Sequence, residues 1–397
     1  MNLPVKYRPQ KFLEIVGQEH IVKVLQNSLE LKKISQVYLF SGPRGVGKTT
    51  TARIFAKALN CEKGINPEPC GECATCKAIQ MGKSMDVIEI DGASHRGIAE
   101  VKELQERISF VPSARYKVVI IDEVHMLTME AFNALLKTLE EPPKYVVFIL
   151  ATTAPERVPP TILSRCQRFD FRPLTNATII ERLKYIAEKE KIEVEEEVYN
   201  LIAQKADGSL RDAINILAQL SIFSDGKLTE EEARKILGII KRDFFVKLFR
   251  YVKDRNVRDG LALLDDILKS GYSLTDFIRS YTEAVDKLLK SKVGFEKNEF
   301  DEISKYFSKE DLVGFFKIAI EMEQTLKYVS MPYLFLEYFI LKLILLPRME
   351  DIEKILNISE VKKEDMAKKV EVVYNKVQSD IDKLKEKILK EFDLERF

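Results

Sequence analysis

Tryptophan is absent from the 397 residues, histidine occurs three times, and neither charge sign dominates. With 63 lysines and arginines against 62 aspartates and glutamates, the formal net charge is +1. Such a chain has no overall field that would attract nucleic acid, so any DNA contact must come from a local patch. The charged fraction of 31% beside a hydrophobic fraction of 46% predicts a soluble, helix-rich protein.

Long apolar runs and an N-terminal signal are missing as well. The most apolar stretch, residues 335–346, contains Glu337 and Lys342 and is too short to cross a bilayer. Residues 1–10 are polar and carry two prolines, unlike a secretory signal. We therefore expect a cytoplasmic protein with no membrane partner.

The first third of the chain alternates short apolar runs with helical patterns, which predicts an α/β domain with a parallel sheet. The runs are rich in β-branched residues, as in strands buried on both faces. Helical patterns cover residues 49–59, 99–108 and 129–139. The predicted strands are residues 37–40, 87–90, 118–121 and 146–150.

Strand signals stop after residue 174, and a chain of this length should form two or three domains. Apolar residues recur at helical spacing from 177 to about 240, with a break at Gly208 and a new helix start at Ser209. A third, all-helical block follows and ends at Pro347. We expect domains at residues 1–173, 174–240 and 241–347, followed by a charged tail at 348–397.

The tail carries one narrow apolar seam at helical spacing, which predicts an amphipathic helix. Two interpretations are open: the helix packs on its own third domain, or it binds a partner as a coiled coil. The seam consists of Val370, Val373, Val377, Ile381, Leu384, Ile388 and Phe392.

A P-loop is the most specific motif in the sequence. Residues 42–49 match G-x-x-x-x-G-K-[ST] without a mismatch, after a predicted strand and before a predicted helix, which argues against a chance glycine-rich turn. Glycines let backbone N–H groups converge on phosphate oxygens, and the lysine neutralises the β- and γ-phosphates of ATP. The predicted phosphate-binding residues are Gly42, Pro43, Arg44, Gly45, Val46, Gly47, Lys48, Thr49 and Thr50.

Two acids follow the predicted strand at 118–121. Asp122 and Glu123 then lie at the carboxyl edge of the sheet, where ligands bind in such folds. We expect Asp122 to hold Mg²⁺ together with the hydroxyl of Thr49, and Glu123 to polarise the attacking water. Two solvated acids at a strand end would be the alternative if no P-loop preceded them.

Further polar residues suit a nucleotide sensor. Thr152 and Thr153 end the next strand and could hydrogen-bond the γ-phosphate or the water. Arg165 follows a proline-rich loop and could act in trans as an arginine finger on a neighbouring subunit's ATP, although a surface arginine is more often solvated or in a surface ion pair. Arg211, near a helix start in the second block, could close that block over the nucleotide.

Four of the five cysteines cluster within 16 residues, in the pattern C-x8-C-x2-C-x2-C. Thiolates at this spacing suit a tetrahedral, structural Zn²⁺ site. Free thiols or a redox pair are a weaker interpretation, and an iron–sulfur cluster is a chemical rival, although no further cysteine follows at its usual spacing. We assign Cys166 no metal role. The predicted zinc ligands are Cys61, Cys70, Cys73 and Cys76.

Together these pieces resemble the AAA+ clamp-loader ATPases, and more narrowly the gamma/tau subunits of bacterial DNA polymerase III. The cysteine module between the P-loop and the Asp122–Glu123 pair, the segment 133–143, and the triplet Ser164-Arg165-Cys166 carry the resemblance. So do segments 86–94, 208–213 and 331–334, and an opening segment that lines the adenine pocket in that family. The opening segment matches Tyr7, Arg8, Pro9, Val16, Gly17 and Gln18.

The resemblance covers residues 2–346 and implies an ATPase core, a helical lid with Arg211 as second sensor, and an oligomerising collar. It implies assembly with delta, delta-prime and further copies of the chain, to open a sliding clamp and close it around primed DNA within the polymerase holoenzyme. DNA would be held by phosphate contacts, with Arg96 and Lys102 as candidates, although their helix could equally be a solvated face. Only about 50 residues follow the collar, fewer than in full-length tau chains.

Two other function classes stay open from the sequence. Another AAA+ DNA motor, such as a branch-migration helicase, would not be expected to carry the cysteine module or the third block. A non-catalytic scaffold like the delta-prime subunit would be expected to have a degraded P-loop, whereas Gly47-Lys48-Thr49 is intact.

Overall fold

The computed structural model describes residues 3–223, 226–269, 272–326 and 329–346. The chain divides into two compact units, Met1–Ala233 and Arg234–Phe397. The predicted tail helix lies outside the described residues. Within the described residues, no helix is long and apolar enough to span a membrane.

A five-stranded, fully parallel sheet forms the centre of the first unit, with strand order β2-β3-β4-β1-β5. The three central strands are almost wholly buried, as expected of a sheet covered by helices on both faces. The strands are β1 (Val37–Ser41), β2 (Val87–Asp91), β3 (Lys117–Asp122), β4 (Val146–Thr152) and β5 (Gln167–Asp170).

Four of these strands confirm the prediction, with ends that extend by one or two residues. The fifth, β5, was not predicted. Its sequence is Gln-Arg-Phe-Asp, in which only Phe169 is buried, because the strand lies at the edge of the sheet beside β1. A single apolar residue among three polar ones carries no strand periodicity.

Helices pack on both faces of the sheet and build two apolar cores. One core holds the helix after the P-loop, and the other holds the helices that precede β3 and β4. The helices of this part of the chain are α1 (Leu3–Lys6), α2 (Glu19–Glu30), α3 (Lys48–Asn60), α4 (Ala74–Gln80), α5 (Ile98–Ser109), α6 (Met129–Glu140) and α7 (Pro160–Leu163).

A helical subdomain completes the first unit, as the apolar spacing after residue 177 predicted. Thr175 caps its first helix by accepting a hydrogen bond from the Thr178 amide at 3.2 Å. The division between the two units falls between Ala233 and Arg234, inside the last of these helices. The helices are α8 (Asn176–Glu190), α9 (Glu196–Ala206), α10 (Leu210–Phe223) and α11 (Glu230–Leu237).

The second unit is all-helical in its described part and has its own aromatic core. Phe249 is fully buried and its ring contacts the rings of Tyr281, Phe300, Phe307 and Phe315. Its helices are α12 (Arg242–Asp254), α13 (Val257–Lys269), α14 (Leu274–Lys292), α15 (Asp301–Ser304), α16 (Lys309–Thr325) and α17 (Pro332–Leu345).

Candidate functional site

The order of the strands brings the two predicted phosphate motifs to one edge of the sheet. Strand β4 lies between β1, which leads into the P-loop, and β3, which ends at Asp122. Ser41 is in register with Thr152, and the Gly42 amide donates to the Thr152 carbonyl at 3.2 Å. The P-loop, Asp122 and the end of β4 therefore lie side by side at the carboxyl edge.

The P-loop uses left-handed backbone at its glycines, which is why other residues would be strained there. Gly45 has φ +77°, and a Cβ on it would overlap the Ser209 hydroxyl and lie 3.1 Å from Ser209 Cβ. Gly47, with φ +105°, is the N-cap of α3. The loop is thus held between the sheet and the helical subdomain.

Lys48 begins α3 and folds back over the loop. Its ammonium donates hydrogen bonds of 2.8 Å to the carbonyl oxygens of Gly42 and Pro43. Burial lowers the pKa of Lys48, against the nearby carboxylates of Glu123 and Asp122, which raise it. The cation and two acids therefore share one partly desolvated site.

The two predicted magnesium ligands touch each other. Thr49 Oγ1 donates a 2.6 Å hydrogen bond to Asp122 Oδ2, and the other carboxylate oxygen accepts from the Glu123 amide at 3.0 Å. A hydroxyl and a carboxylate oxygen are both ligand types that Mg²⁺ accepts. Thr49 and Asp122 could therefore hold Mg²⁺.

Glu123 has its carboxylate anchored on one oxygen. Oε2 accepts hydrogen bonds from the Thr153 hydroxyl at 2.9 Å and the Thr153 amide at 3.2 Å, and it lies 3.4 Å from Nδ1 of His125. Glu123 itself adopts a left-handed conformation, with φ +46°, immediately after β3. These contacts fix where the carboxylate lies relative to the P-loop edge.

The neighbouring threonines differ in their surroundings. Thr152 is fully buried, and its hydroxyl bonds to His125 Nδ1 at 2.9 Å and accepts from the Ala154 amide at 3.0 Å. Thr153 is exposed at the edge and contacts Glu123. We therefore keep the predicted sensor role for Thr153 alone. Sequence reasoning did not single out His125, although its position two residues after Glu123 was a signal that could have been used.

The helical subdomain contacts the P-loop through the start of α10. The Arg211 amide donates to the Gly45 carbonyl at 3.5 Å, and the Ser209 hydroxyl donates to the carboxylate of Asp212 in the same helix start at 2.6 Å. Burial lowers the pKa of Arg8, and the guanidinium groups of Arg53 and Arg211 lower it further. Arg8 and Arg211, from opposite ends of the first unit's sequence, thus lie near one another, as a polyanion site would require.

The opening segment is tied to the same subdomain. The Tyr7 hydroxyl and the Lys6 ammonium both donate to Oε1 of Glu190, the latter at 2.6 Å, and the Tyr7 ring meets Tyr185 edge-on. Burial and Glu190 raise the pKa of Tyr7 to about 12. Glu190 was not predicted as a site residue.

The other predicted adenine-pocket residues lie near the same junction. A Cβ on Gly17 would overlap the side chain of Leu174, so this residue packs directly on the start of the subdomain. Arg8 and Pro9 line a cavity of about 300 Å³ together with Thr50 and Arg53 of α3. Val16 is only partly buried.

Arg165 lies just after α7, away from the contacts described above. Its guanidinium donates to Glu140 at 2.7 Å and to the Thr161 carbonyl at 2.5 Å. The side chain is 36% exposed, so it is available to a second molecule on this surface. Within this chain its ion pair is with Glu140 and not with Asp122 or Glu123.

The two candidate DNA-contacting residues are exposed. Arg96 Nε donates to the Ala93 carbonyl at 2.8 Å, and Lys102 lies on the solvent face of α5. Glu103 shares that face with Lys102.

The four clustered cysteines converge on one point. Their sulfur atoms all lie within 4.8 Å of one another, and those of Cys70 and Cys76 are 3.9 Å apart. A tetrahedral zinc with Zn–S bonds of about 2.3 Å holds its sulfurs about 3.8 Å apart, so these residues fit a single ion. Cys61 and Cys76 are buried, which suits a structural site.

Backbone hydrogen bonds favour thiolate at this cluster. The Cys73 amide donates to Cys70 Sγ at 3.4 Å, and the Cys76 amide donates to Cys73 Sγ at 3.3 Å. Hydrogen bonds from the backbone of Cys73 and of Glu72 lower the pKa of Cys70 to about 6, whereas burial raises the pKa of Cys76. Cys166 is apart from the cluster, and burial raises its pKa to about 12.

Three family models match successive parts of the chain. The model described as the DNA polymerase III delta subunit matches residues 17–175. The ATPase lid domain of the DNA polymerase III clamp loader subunit matches residues 178–226. Domain III of the DNA polymerase III gamma and tau subunits matches residues 228–357.

Curated relatives extend the likeness over most of the chain. The Bacillus subtilis DNA polymerase III subunit tau is 45% identical over 350 residues, 85% of this chain and 62% of the relative. The subunit gamma of Buchnera aphidicola from Acyrthosiphon pisum is 37% identical over 85% of this chain and 97% of its own length. The chain spans 42% of the Escherichia coli subunit tau, to which it is 43% identical.

Proposed function

The chain belongs to the gamma and tau subunit family of bacterial DNA polymerase III, and on that premise we propose that it is an ATP-hydrolysing clamp-loader subunit. In this role it would open a sliding clamp and load it onto primed DNA during replication. One observation carries the proposal beyond the likeness: Lys48, Thr49, Asp122 and Glu123 meet at one sheet edge.

ATP binding is proposed for the P-loop and the junction with the helical subdomain. The ammonium of Lys48 would exchange its two carbonyl partners for the β- and γ-phosphates. Arg8 and Arg211 would add positive charge from the opening segment and from the lid. The adenine base would lie against Tyr7, Pro9, Val16 and Gly17, as the family resemblance implies.

Hydrolysis requires a water molecule aligned with the γ-phosphate. Thr49 and Asp122 would hold Mg²⁺, which screens the phosphate charge when bound. Glu123 would orient and polarise the water, and Thr153 holds the carboxylate of Glu123 at 2.9 Å. Thr153 would thereby relay the state of the γ-phosphate to Glu123.

Arg165 is proposed to act on the ATP of a neighbouring subunit. It is exposed, and its guanidinium bonds the exposed residues Glu140, Thr161 and Ser164, so a docked neighbour could recruit it without disrupting the core. An arginine supplied in trans would stabilise the charge that develops on the phosphoryl group. Such an arrangement ties hydrolysis to assembly with delta, delta-prime and further copies of the chain.

The domain limits are proposed as follows. Residues 1–173 would form the ATPase core, with the zinc module at 61–76, and residues 174–240 the lid. Residues 241–347 would form the collar that joins subunits. The lid model matches residues 178–226 and the third-domain model starts at 228, which supports two successive domains after the core, with a junction somewhat before residue 240.

Zinc is the metal we propose for the four cysteines, in a structural role. Cys61, Cys70, Cys73 and Cys76 would fill all four positions of the tetrahedron, leaving none for a substrate. DNA would contact this chain through phosphates, with Arg96 and Lys102 as candidates. We propose that the protein acts in the cytoplasm.

The test is ATP turnover in a reconstituted loader. The chain would be mixed with delta and delta-prime subunits, and turnover measured with and without sliding clamp and primed DNA. We expect sliding clamp and primed DNA together to stimulate ATP turnover, and we expect Lys48→Ala to abolish it. Wild-type ATP turnover that does not change when the clamp is added would favour another DNA motor. The absence of any wild-type turnover would favour a non-catalytic scaffold.

A second measurement checks the partner directly. The chain, assembled with its partner subunits, should retain the sliding clamp on a column in the presence of a non-hydrolysable ATP analogue. The clamp should elute when ADP replaces the analogue. Equal retention with both nucleotides would contradict an ATP-gated grip on the clamp.

A further inference from the structure

The loop between the first and second cysteines of the metal module carries an acid, Glu68, whose carboxylate bonds groups outside the module. Glu68 Oε2 accepts a hydrogen bond from the Phe12 amide at 3.1 Å. Glu68 Oε1 accepts from the Leu13 amide at 3.1 Å and from the Gln26 side chain at 2.9 Å. One carboxylate therefore joins the metal module to two parts of the N-terminal region.

The two backbone donors begin a single turn of 3-10 helix, Phe12–Glu14. The first amides of a helical turn have no partner within the turn and are usually bonded by the side chain of the N-cap residue. Here the N-cap is Lys11, which makes no such bond. Glu68 supplies the missing acceptor from 56 residues away in the sequence.

Other contacts hold the same segment against the module and against α3. Ile65 of the cysteine loop packs on the apolar core to which the buried Phe12 belongs. A Cβ on Gly71 would lie 3.8 Å from the Lys11 side chain. On the other side, the buried ammonium of Lys57 in α3 donates to Gln10 Oε1.

The cavity beside the P-loop helix is lined by the opening segment, by α3 and by α4 of the metal module. Arg8 and Pro9 of the opening segment form one wall, and Thr50 and Arg53 of α3 form another. Gln80 of α4, with the adjoining Met81, closes the third side. The N-terminal segment that carries Arg8 and Pro9 thus borders one cavity together with α4 of the metal module and with α3, the helix that begins with Lys48.

We propose that Glu68 is a positioning residue through which the metal module holds the opening segment in place for ATP binding. The inference rests on the proposed function, because it takes Tyr7, Arg8 and Pro9 as nucleotide contacts. The module then has a task in this chain beyond its own local fold. Because coupling between two sites is reciprocal, bound nucleotide must also stabilise the module.

The first test compares two variants of the same module. Glu68→Ala removes the acceptor of three hydrogen bonds, and we expect roughly tenfold weaker binding of a fluorescent ATP analogue, since about 1.4 kcal/mol corresponds to a factor of ten. Glu72→Ala is the matched control, because the Glu72 side chain is 74% exposed and its carboxylate accepts a bond from Lys63 at 3.3 Å within the same module. It should bind the analogue within about twofold of wild type.

The metal content of each variant is measured alongside, and it should equal that of wild type. Gln26→Ala provides a milder change that leaves the module and both backbone bonds intact, and it should weaken binding by a smaller factor. If Glu68→Ala does not fold, Gln26→Ala decides the question alone. Wild-type affinity in a folded Glu68→Ala protein would overturn the inference. If Glu68→Ala does not fold, wild-type affinity in Gln26→Ala would overturn it.

The second test reads the coupling in the opposite direction and does not involve turnover. Transfer of the metal to a chromogenic chelator should be slower with saturating ATP analogue than without it in wild type. In Glu68→Ala the rate should no longer depend on the nucleotide. Rates equally nucleotide-sensitive in both proteins would overturn the inference alone, whereas wild type that bound no ATP analogue would overturn the proposed function and this inference with it.

Discussion

Thr49 and Asp122, which are 73 positions apart in the sequence, are joined by a 2.6 Å hydrogen bond between Oγ1 and Oδ2. The bond connects the first turn of α3 to the end of β3. Its two oxygens are the groups that we expect to hold Mg²⁺. The pair is therefore positioned by the fold, and its chemistry can be tested with single substitutions.

Asp122→Asn should lower ATP turnover at least ~10-fold, because the amide keeps the shape of the side chain and loses the charge that binds the metal. Turnover should recover in part at high Mg²⁺ concentration. The measurement is steady-state ATPase activity as a function of Mg²⁺.

The matched control is Asp91→Asn, which makes the same change one strand away. Asp91 is in register with Asp122, but its carboxylate bonds the Ala93 amide and the Ser94 hydroxyl of its own loop. Its variant should keep the wild-type Mg²⁺ dependence. An equal loss in both variants would point to general damage at the sheet edge.

Thr153→Val should reduce turnover roughly 10- to 100-fold while leaving ATP affinity within about threefold of wild type. The substitution removes the hydroxyl that bonds Glu123 Oε2 at 2.9 Å and keeps the backbone bond at 3.2 Å. Thr153→Ser retains the hydroxyl and should keep most of the activity. Single-turnover kinetics separate the chemical step from binding, and a valine variant with unchanged turnover would rule out the sensor role.

The P-loop and the central strands could be predicted because each depends on local sequence. Residues 42–49 and the apolar run ending at Asp122 need no knowledge of strand order. The anchoring of Glu123 by Thr153 could not be predicted, because it requires β3 and β4 to be neighbours. The contacts of Glu68 with residues 12 and 13 could not be predicted either, since no sequence feature at these positions indicates that they are partners.

Arg165→Ala should leave nucleotide binding nearly intact and strongly reduce hydrolysis in the assembled loader. Glu140→Gln removes the ion-pair partner at 2.7 Å but keeps the arginine, so hydrolysis should stay near wild type. Loaders that mix wild-type and Arg165→Ala chains distinguish an action of Arg165 on a neighbour's ATP from an action within its own subunit. A trans role predicts loss at the neighbour's site, and a loss confined to the mutated subunit would refute it.

Metal analysis should give about one zinc per chain. Cys73→Ser removes one of the four sulfurs that lie within 4.8 Å of one another and should lower the zinc content, together with the melting temperature. Cys166→Ser lies outside the cluster and should keep the full zinc content. Iron accompanied by visible absorbance would instead favour the cluster alternative.

Gly45→Ala should abolish or severely weaken ATP binding for two separable reasons. Alanine is strained at φ +77°, and its methyl group would overlap the Ser209 side chain at the start of α10. Gly64→Ala is the control for backbone strain alone, because at φ +107° its Cβ would meet no atom within 4 Å. It should bind ATP nearly as well as wild type.

The overlap can be tested by compensation. In the double variant Gly45→Ala/Ser209→Gly the colliding hydroxyl and Cβ are gone, and the nearest remaining atom is Arg211 Cβ at 3.3 Å. If close contact between the P-loop and the lid is what the glycine permits, ATP affinity should recover in part. Without any recovery, the loss must come from the backbone of the P-loop itself. Because Ser209→Gly also removes the hydrogen bond to Asp212, the ATP affinity of the Ser209→Gly single variant must be measured as well.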